Sequence, residues 1–237
     1  MNSTEAFMTG SLLIEKRQGM RTLSKNDYDE LLAQSEIIEQ DRNGIKVLRL
    51  PDGNFLKTFW YRHLVSSRRI YPERLRFSLN AGALKRRSVP TVTVIETVRI
   101  PHLQRTGVIY RPLAGRTLRQ VAAAGEFNAE LAGRLGQFVA MLHRKGIHFR
   151  SLHLGNVLLC PDGNFGLIDI SDMIILPWPL LPDMRMRNFY HLFRYERDFE
   201  MLTCAGMREF LEQYINKQPA PRIRRRLHRA VNKRSAS

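Results

Sequence analysis

Between residues 36 and 60, three apolar runs are separated by two glycine turns, and that spacing points to an antiparallel sheet. Ile37-Ile38-Glu39 leads into Asp41-Arg42-Asn43-Gly44, and Ile45–Leu50 follows with alternating character. Pro51-Asp52-Gly53-Asn54 then turns the chain into Phe55–Trp60. Asn-Gly and Asp-Gly between apolar runs are strong hairpin signals, because tight turns need a residue tolerant of positive φ. Arg74–Arg87 reads as a helix stopped by Ser88-Val89-Pro90. Thr91–Ile100 and Gly107–Leu113 read as two further strands. The expectation is an antiparallel five-strand sheet with one helix after the third strand.

The second half changes period. Leu131, Leu135, Phe138 and Leu142 repeat at helical spacing and predict an amphipathic core helix ending at Gly146. A polar loop leads to a short strand, Val157-Leu158-Leu159. Pro161-Asp162-Gly163-Asn164 then turns the chain into Phe165–Asp169. Helices are expected from about Arg187 to Leu202 and near Met207–Tyr214. The class is therefore α+β, with a sheet-rich first part and a mainly helical second part. The predicted divisions are an N-terminal arm (1–35, with a short helix at Lys25–Gln34), a sheet domain (36–113), a helical domain (114–216) and a basic tail (217–237).

Charge limits the partners. The 237 residues carry 38 Lys+Arg against 22 Asp+Glu, a net +16. Eight of the cations lie between Lys217 and Ser237, where there is no acid. Such a segment attracts polyanions. No stacking aromatics interleave with these cations, which ranks nucleic acid last among the partners. Pro177-Trp178-Pro179-Leu180-Leu181-Pro182, flanked by Arg185 and Arg187, suits a lipid headgroup boundary. With the tail it would form a two-point attachment to an anionic membrane. No apolar run approaches the roughly 20 residues of a membrane span. The N-terminal residues do not read as a signal peptide, and Cys160 and Cys204 make neither a metal pair nor a disulfide scaffold. The expected location is cytoplasmic, peripheral to the inner membrane.

The chemistry concentrates in Ser151-Leu-His153-Leu-Gly-Asn156 and Ile168-Asp169-Ile-Ser-Asp172. An amide and a carboxylate at the two ends of one tight hairpin can aim oxygens at one point, as Mg²⁺ requires. Far upstream, Lys57 sits in the middle of a strand. On these residues the chain resembles the protein-kinase-like fold, over about residues 36–215. Within it, the chain looks most like the lipopolysaccharide core kinases of the WaaP/InaA type and the toluene tolerance proteins. The resemblance implies a two-lobed molecule that binds ATP and Mg²⁺. It implies Lys57 as the nucleotide-phosphate lysine and Asn156 and Asp169 as the metal ligands. Tyr110 and Arg111 would begin the hinge beside the nucleotide base.

Three departures qualify that reading. The family's catalytic aspartate stands five residues before the metal asparagine, and here that position is Ser151. His153 or Asp172 then becomes the candidate to assist the acceptor hydroxyl. The glutamate that pairs with the lysine is replaced by Asn80. The phosphate loop between the first two strands keeps one glycine, in Asp41-Arg42-Asn43-Gly44. Two functions follow. One is a phosphotransferase acting on a sugar of lipopolysaccharide core or another anionic glycolipid. The alternative is a pseudokinase that serves as a nucleotide-binding scaffold in envelope biogenesis or stress tolerance.

Overall fold

The computed structural model describes residues 20–60, 73–217 and 221–235. It divides into two compact units. One comprises the chain up to Gly82 together with Val92–Pro112; the other comprises Ala83–Thr91 and the chain from Leu113 onward. The first nineteen residues of the expected arm lie outside the described residues.

The first unit is built on β2 (Glu36–Asp41), β3 (Gly44–Arg49), β4 (Phe55–Trp60), β5 (Thr93–Ile100) and β6 (Arg105–Arg111), which pair antiparallel in the order β5-β6-β4-β3-β2. The five expected strands are all present. A sixth, β1 (Arg21–Thr22), adds in parallel to β5, with Arg21 opposite Val98. The end of the expected arm is thus part of this sheet. After it comes α1 (Lys25–Ala33), started by a capping box in which Ser24 Oγ accepts from the Asp27 N–H and Asp27 accepts from the Ser24 N–H. Leu23 and Tyr28 pack with Leu48, Leu50, Leu56, Val98, Ile100 and Ile109 on one face of the sheet. Strand alternation sends the neighbours Val47, Lys57, Phe59 and Val108 to the opposite face. There, α2 (Glu73–Arg86) contributes Phe77, whose ring lies 6.2 Å from Phe59 and 5.3 Å from Tyr110.

The second unit holds the remaining elements. They are β7 (Arg116–Thr117), α3 (Leu118–Ala123), α4 (Ala129–Arg144), β8 (Ile147–Phe149), β9 (Val157–Leu159), β10 (Phe165–Leu167) and β11 (Met173–Ile175), then α5 (Pro182–Leu192), α6 (Glu196–Asn216) and α7 (Pro221–Ser235). The α+β class, with a sheet-rich first part and a mainly helical second part, is the one expected from the sequence. The core is α4 against α6. They meet closely at Gly136, where an added Cβ would lie 2.2 Å from the Phe210 carbonyl oxygen. Two small sheets complete the unit: β10-β9-β7 and the antiparallel pair β11-β8.

Three boundaries differ from expectation. Residues 83–91 join the second unit, because the Arg87 guanidinium donates to the Lys145 and Leu176 carbonyls, both at 3.2 Å. The expected helix Arg187–Leu202 is two helices, broken at 193–195. Phe193 sits in the break, buried against Phe189, Phe199 and Phe210. The helix near Met207–Tyr214 is the second half of α6, kinked at Gly206 with φ 148°. The basic segment is also no tail: α7 buries Ile223, Leu227 and Val231 in a stripe at i, i+4 and i+8.

Candidate functional site

The second unit brings four of the predicted site residues to one end of the β9-β10 hairpin. Val157 pairs with Leu167 and Leu159 with Phe165, so the residues just outside the hairpin, Asn156 and Ile168, also face each other. The Ile168 N–H donates to the Asn156 carbonyl at 3.1 Å. Asp169 follows with φ 51° and ψ 49°, a left-handed conformation costly for a residue with a Cβ. That turn in the backbone starts a short 3-10 helix, Ile170–Asp172.

Asn156 is buried. Its Nδ2 donates to the Ser151 carbonyl at 2.9 Å, and a carbonyl can only accept, so the orientation of the amide is fixed. Nothing among the described residues donates to Asn156 Oδ1. An acceptor oxygen on the residue paired with Ile168, next to Asp169, suits a hard cation such as Mg²⁺, which takes few protein oxygens and completes its shell with water and phosphate. Asn156 and Asp169 therefore fit the metal that the resemblance implies.

The loop before Asn156 hangs on groups distant in sequence. The Asp198 carboxylate on α6 is fully buried. It accepts from Arg119 Nε at 2.7 Å, from Arg119 Nη2 at 3.0 Å and from the Leu154 N–H at 2.9 Å. That hydrogen bonding holds the Arg119 guanidinium above its ordinary pKa. The Arg119 guanidinium also lies 5.4 Å from the Tyr195 ring centroid, and the His153 ring meets Tyr195 edge-on at 5.1 Å. Below this loop Asn188 acts as a substitute strand. Its Nδ2 donates to the Phe149 carbonyl, and its Oδ1 accepts from the Phe149 N–H and from His143 Nε2, both at 3.3 Å. His143 Nδ1 then accepts from the Tyr214 hydroxyl at 2.9 Å. Burial drives His143 down to about 3 and raises Tyr214 to about 12.

The three proposed acceptor-side residues stand differently. Ser151 is half-buried, with its carbonyl engaged by Asn156. His153 Nδ1 accepts from the Gly155 N–H at 3.1 Å, so the neutral ring carries its proton on Nε2 and donates there. Burial, then the Arg119 charge, lowers the His153 pKa. Asp172 is 38% exposed and pairs with Arg150 at 3.4 Å; its carbonyl also accepts from the Arg150 N–H.

The first unit carries the other candidates. Lys57 sits mid-β4 opposite Val47 and Val108, and its Nζ lies 5.9 Å from the Phe77 ring centroid. Tyr110 shares that face, with its ring between Phe55 at 5.8 Å and Phe77 at 5.3 Å. Asn80 is buried on α2, one turn after Phe77. Arg111, the last residue of β6, is exposed, and strand alternation gives it the opposite face. The Asp41–Gly44 turn is not an open cradle. The buried Arg105 guanidinium donates to the Asn43 and Ile45 carbonyls and to Thr58 Oγ1, closing the hairpin from beneath.

Arg105, Arg119, Asp198 and Tyr195 were missed by sequence reasoning. None stands at a spacing that marks it, because the contacts described above reach across 42 to 79 residues of chain.

No family model matches this chain, and no curated protein matches it. A similar solved structure is that of a divergent kinase lacking the glycine-rich loop, which regulates membrane ultrastructure of the Toxoplasma parasitophorous vacuole. It is 16% identical, with a TM-score of 0.48 over 86% of this chain and 78% of that one. No residue role is carried over from it.

Proposed function

We propose that this chain is an ATP- and Mg²⁺-dependent phosphotransferase of the kinase-like type, acting on a hydroxyl of a lipopolysaccharide core sugar or a related anionic glycolipid. The observation that carries the nucleotide site is Asn156, whose amide is oriented by Ser151 while its oxygen meets no donor among the described residues. Asn156 and Asp169 would hold the metal, which supplies charge neutralisation on the transferring phosphate. Lys57 is the candidate contact to the nucleotide phosphates. The glycolipid acceptor rests on the sequence resemblance and on the chain's excess of positive charge.

Within this proposal the chain's residues divide as follows. Asp198 and Arg119 hold the loop at Leu154, and the loop sets Asn156. His153 Nε2–H is a donor, suited to orienting an acceptor oxygen rather than to taking its proton. Asp172 is the candidate carboxylate base, paired with Arg150. A missing general base costs about 10²–10⁴-fold in rate. Phosphoryl transfer depends mainly on positioning and charge, so slow transfer survives such a loss.

A second reading, the nucleotide-binding pseudokinase, is favoured by Ser151 and by the engaged Nδ1 of His153. Calorimetry with ATP, with and without Mg²⁺, on wild type and Asp169→Ala tests the shared part. The expected result is Mg²⁺-dependent binding that Asp169→Ala abolishes; no binding by wild type refutes both readings. Transfer of labelled phosphate to core glycolipid separates the two. The enzyme reading expects slow turnover in wild type and at least about a 100-fold gain in Ser151→Asp. Binding without turnover in either protein leaves the scaffold.

A further inference from the structure

The second unit carries its strongest charge on α7, and the helix is built to display it. Ile223, Leu227 and Val231 are buried toward α5 and α6. At 100° per residue, Arg225, Arg229 and Lys233 fall directly opposite that stripe, and all three are exposed. Arg224, Arg226, His228 and Arg234 are exposed on the flanks. Within Pro221–Ser235 there is no acid.

The cationic face does not stand alone. Arg226 Nη1 pairs with Asp183 Oδ1 at 2.6 Å, fixing the middle of α7 to the first turn of α5. The residues just before that turn include two large exposed apolar side chains, Trp178 at 57% and Leu181 at 62%. The backbone on either side of Trp178 is tied down: the Leu176 N–H donates to the Gly146 carbonyl and the Leu180 N–H to the His143 carbonyl, both at 2.9 Å. Leu180 points inward and is buried, while its neighbours point outward. Arg187 and Tyr190 extend the same exposed side along α5, at i+4 and i+7 from Asp183.

We propose that α7 and the Trp178–Leu181 shoulder form one surface that docks on a bilayer rich in anionic phospholipid headgroups. Cations near such a surface are attracted by its negative potential, and an indole and a leucine beside them gain by entering the headgroup boundary. A nucleic acid would satisfy the arginines but would leave Leu181 in water. The anchored backbone matters because it lowers the ordering cost of presenting these side chains. This surface does not depend on the nucleotide site.

The test is co-sedimentation of the full chain with phosphatidylglycerol-containing vesicles and with pure phosphatidylcholine vesicles. Binding is expected to the anionic vesicles alone and to weaken as salt is raised. Arg225→Gln with Arg229→Gln should weaken it by about 25-fold, from roughly 1 kcal/mol per cation at the surface. Trp178→Ala with Leu181→Ala should weaken it several-fold at constant salt. All four side chains are exposed, so unfolding midpoints should match wild type and confirm that folding is intact. Equal binding to neutral vesicles overturns the proposal. So does loss in the arginine variant with no loss in the Trp178/Leu181 variant, and so does an RNA oligonucleotide that binds more tightly than the anionic vesicles.

Discussion

Pro-Asp-Gly-Asn occurs twice, at 51–54 and 161–164, and folds the same way both times. In each, the Asn N–H donates to the Asp Oδ1 at 2.9 Å and the glycine N–H to the residue before the proline at 2.9 Å, with φ of 80° at Gly53 and 79° at Gly163. Each turn also leads into a strand associated with a candidate functional residue, Lys57 within the first strand and Asp169 two residues past the second. The surroundings differ. Nothing stands within 4 Å of a Cβ placed on Gly53. The Gly163 carbonyl accepts from Arg134 of α4, and that guanidinium lies 5.6 Å from the Phe165 ring. Local chemistry makes the turn; distant polar groups decide how firmly a hairpin is held.

The loop from Ser151 to Asn156 is the extreme case, and breaking its anchor should give the largest effect. Asp198→Asn removes the charge that Arg119 faces and one of the oxygens that Arg119 and Leu154 share. Breaking a buried pair by one partner costs about 3–5 kcal/mol. The contrast is Arg21 with Glu96 on the first unit's sheet, a 2.7 Å pair that is 54% and 36% exposed. Glu96→Gln should cost no more than about 1 kcal/mol. Urea unfolding of both variants measures the gap. If Asp198→Asn falls in the same range as Glu96→Gln, the loop is not organised from α6, and the contrast drawn from the two turns collapses with it.

That contrast also explains what was legible in the sequence. Strands β3 and β4, helix α2 and both Pro-Asp-Gly-Asn turns follow from residues within a few positions of one another. Asn156 and Asp169 were found because a hairpin brings its two ends together. Arg119 and Asp198 lie 79 residues apart, and no local pattern marks an aspartate on the first turn of a helix as a loop anchor. The break before α6 was missed for the same reason, since Phe193 is held by an aromatic cluster whose members come from both helices. The amphipathic character of α7 was hidden by its charge: three apolar residues among so many arginines still suffice to pin it down.

A middle-sized effect comes from pH. His143 is neutral in the folded chain, at about 3, while the unfolded chain takes up a proton below about 6.5. Its contribution is whole above pH 6.5 and is lost as pH falls from there toward 3. Between pH 7 and pH 5 this amounts to about 2 kcal/mol. Burial lowers His148, His153 and His191 as well, so they act in the same direction. All four belong to the second unit. Urea midpoints at the two pH values should therefore differ for wild type and differ less for His143→Phe. An unchanged pH dependence in that variant would place the titration elsewhere.

The smallest effect is the sharpest test of the two turns. An L residue at φ near 80° carries a backbone penalty of about 1–2 kcal/mol. Gly53→Ala and Gly163→Ala should both show it. Beyond the backbone, Gly53 meets open space, and Gly163 meets only Arg134 Nη2 at 3.7 Å, an ordinary contact. If each turn is governed by its own four residues, the two substitutions should agree within about 0.5 kcal/mol. The Arg134 bond to the Gly163 carbonyl predicts a further asymmetry. Arg134→Met removes that donor and should loosen the second hairpin alone, seen as faster amide exchange at Leu158 and Gly166 with no change at Leu48 and Leu56. A larger penalty at Gly163 than at Gly53 that vanishes in Arg134→Met would show the brace reaching into the turn. Equal penalties in both backgrounds would confine it to the strands.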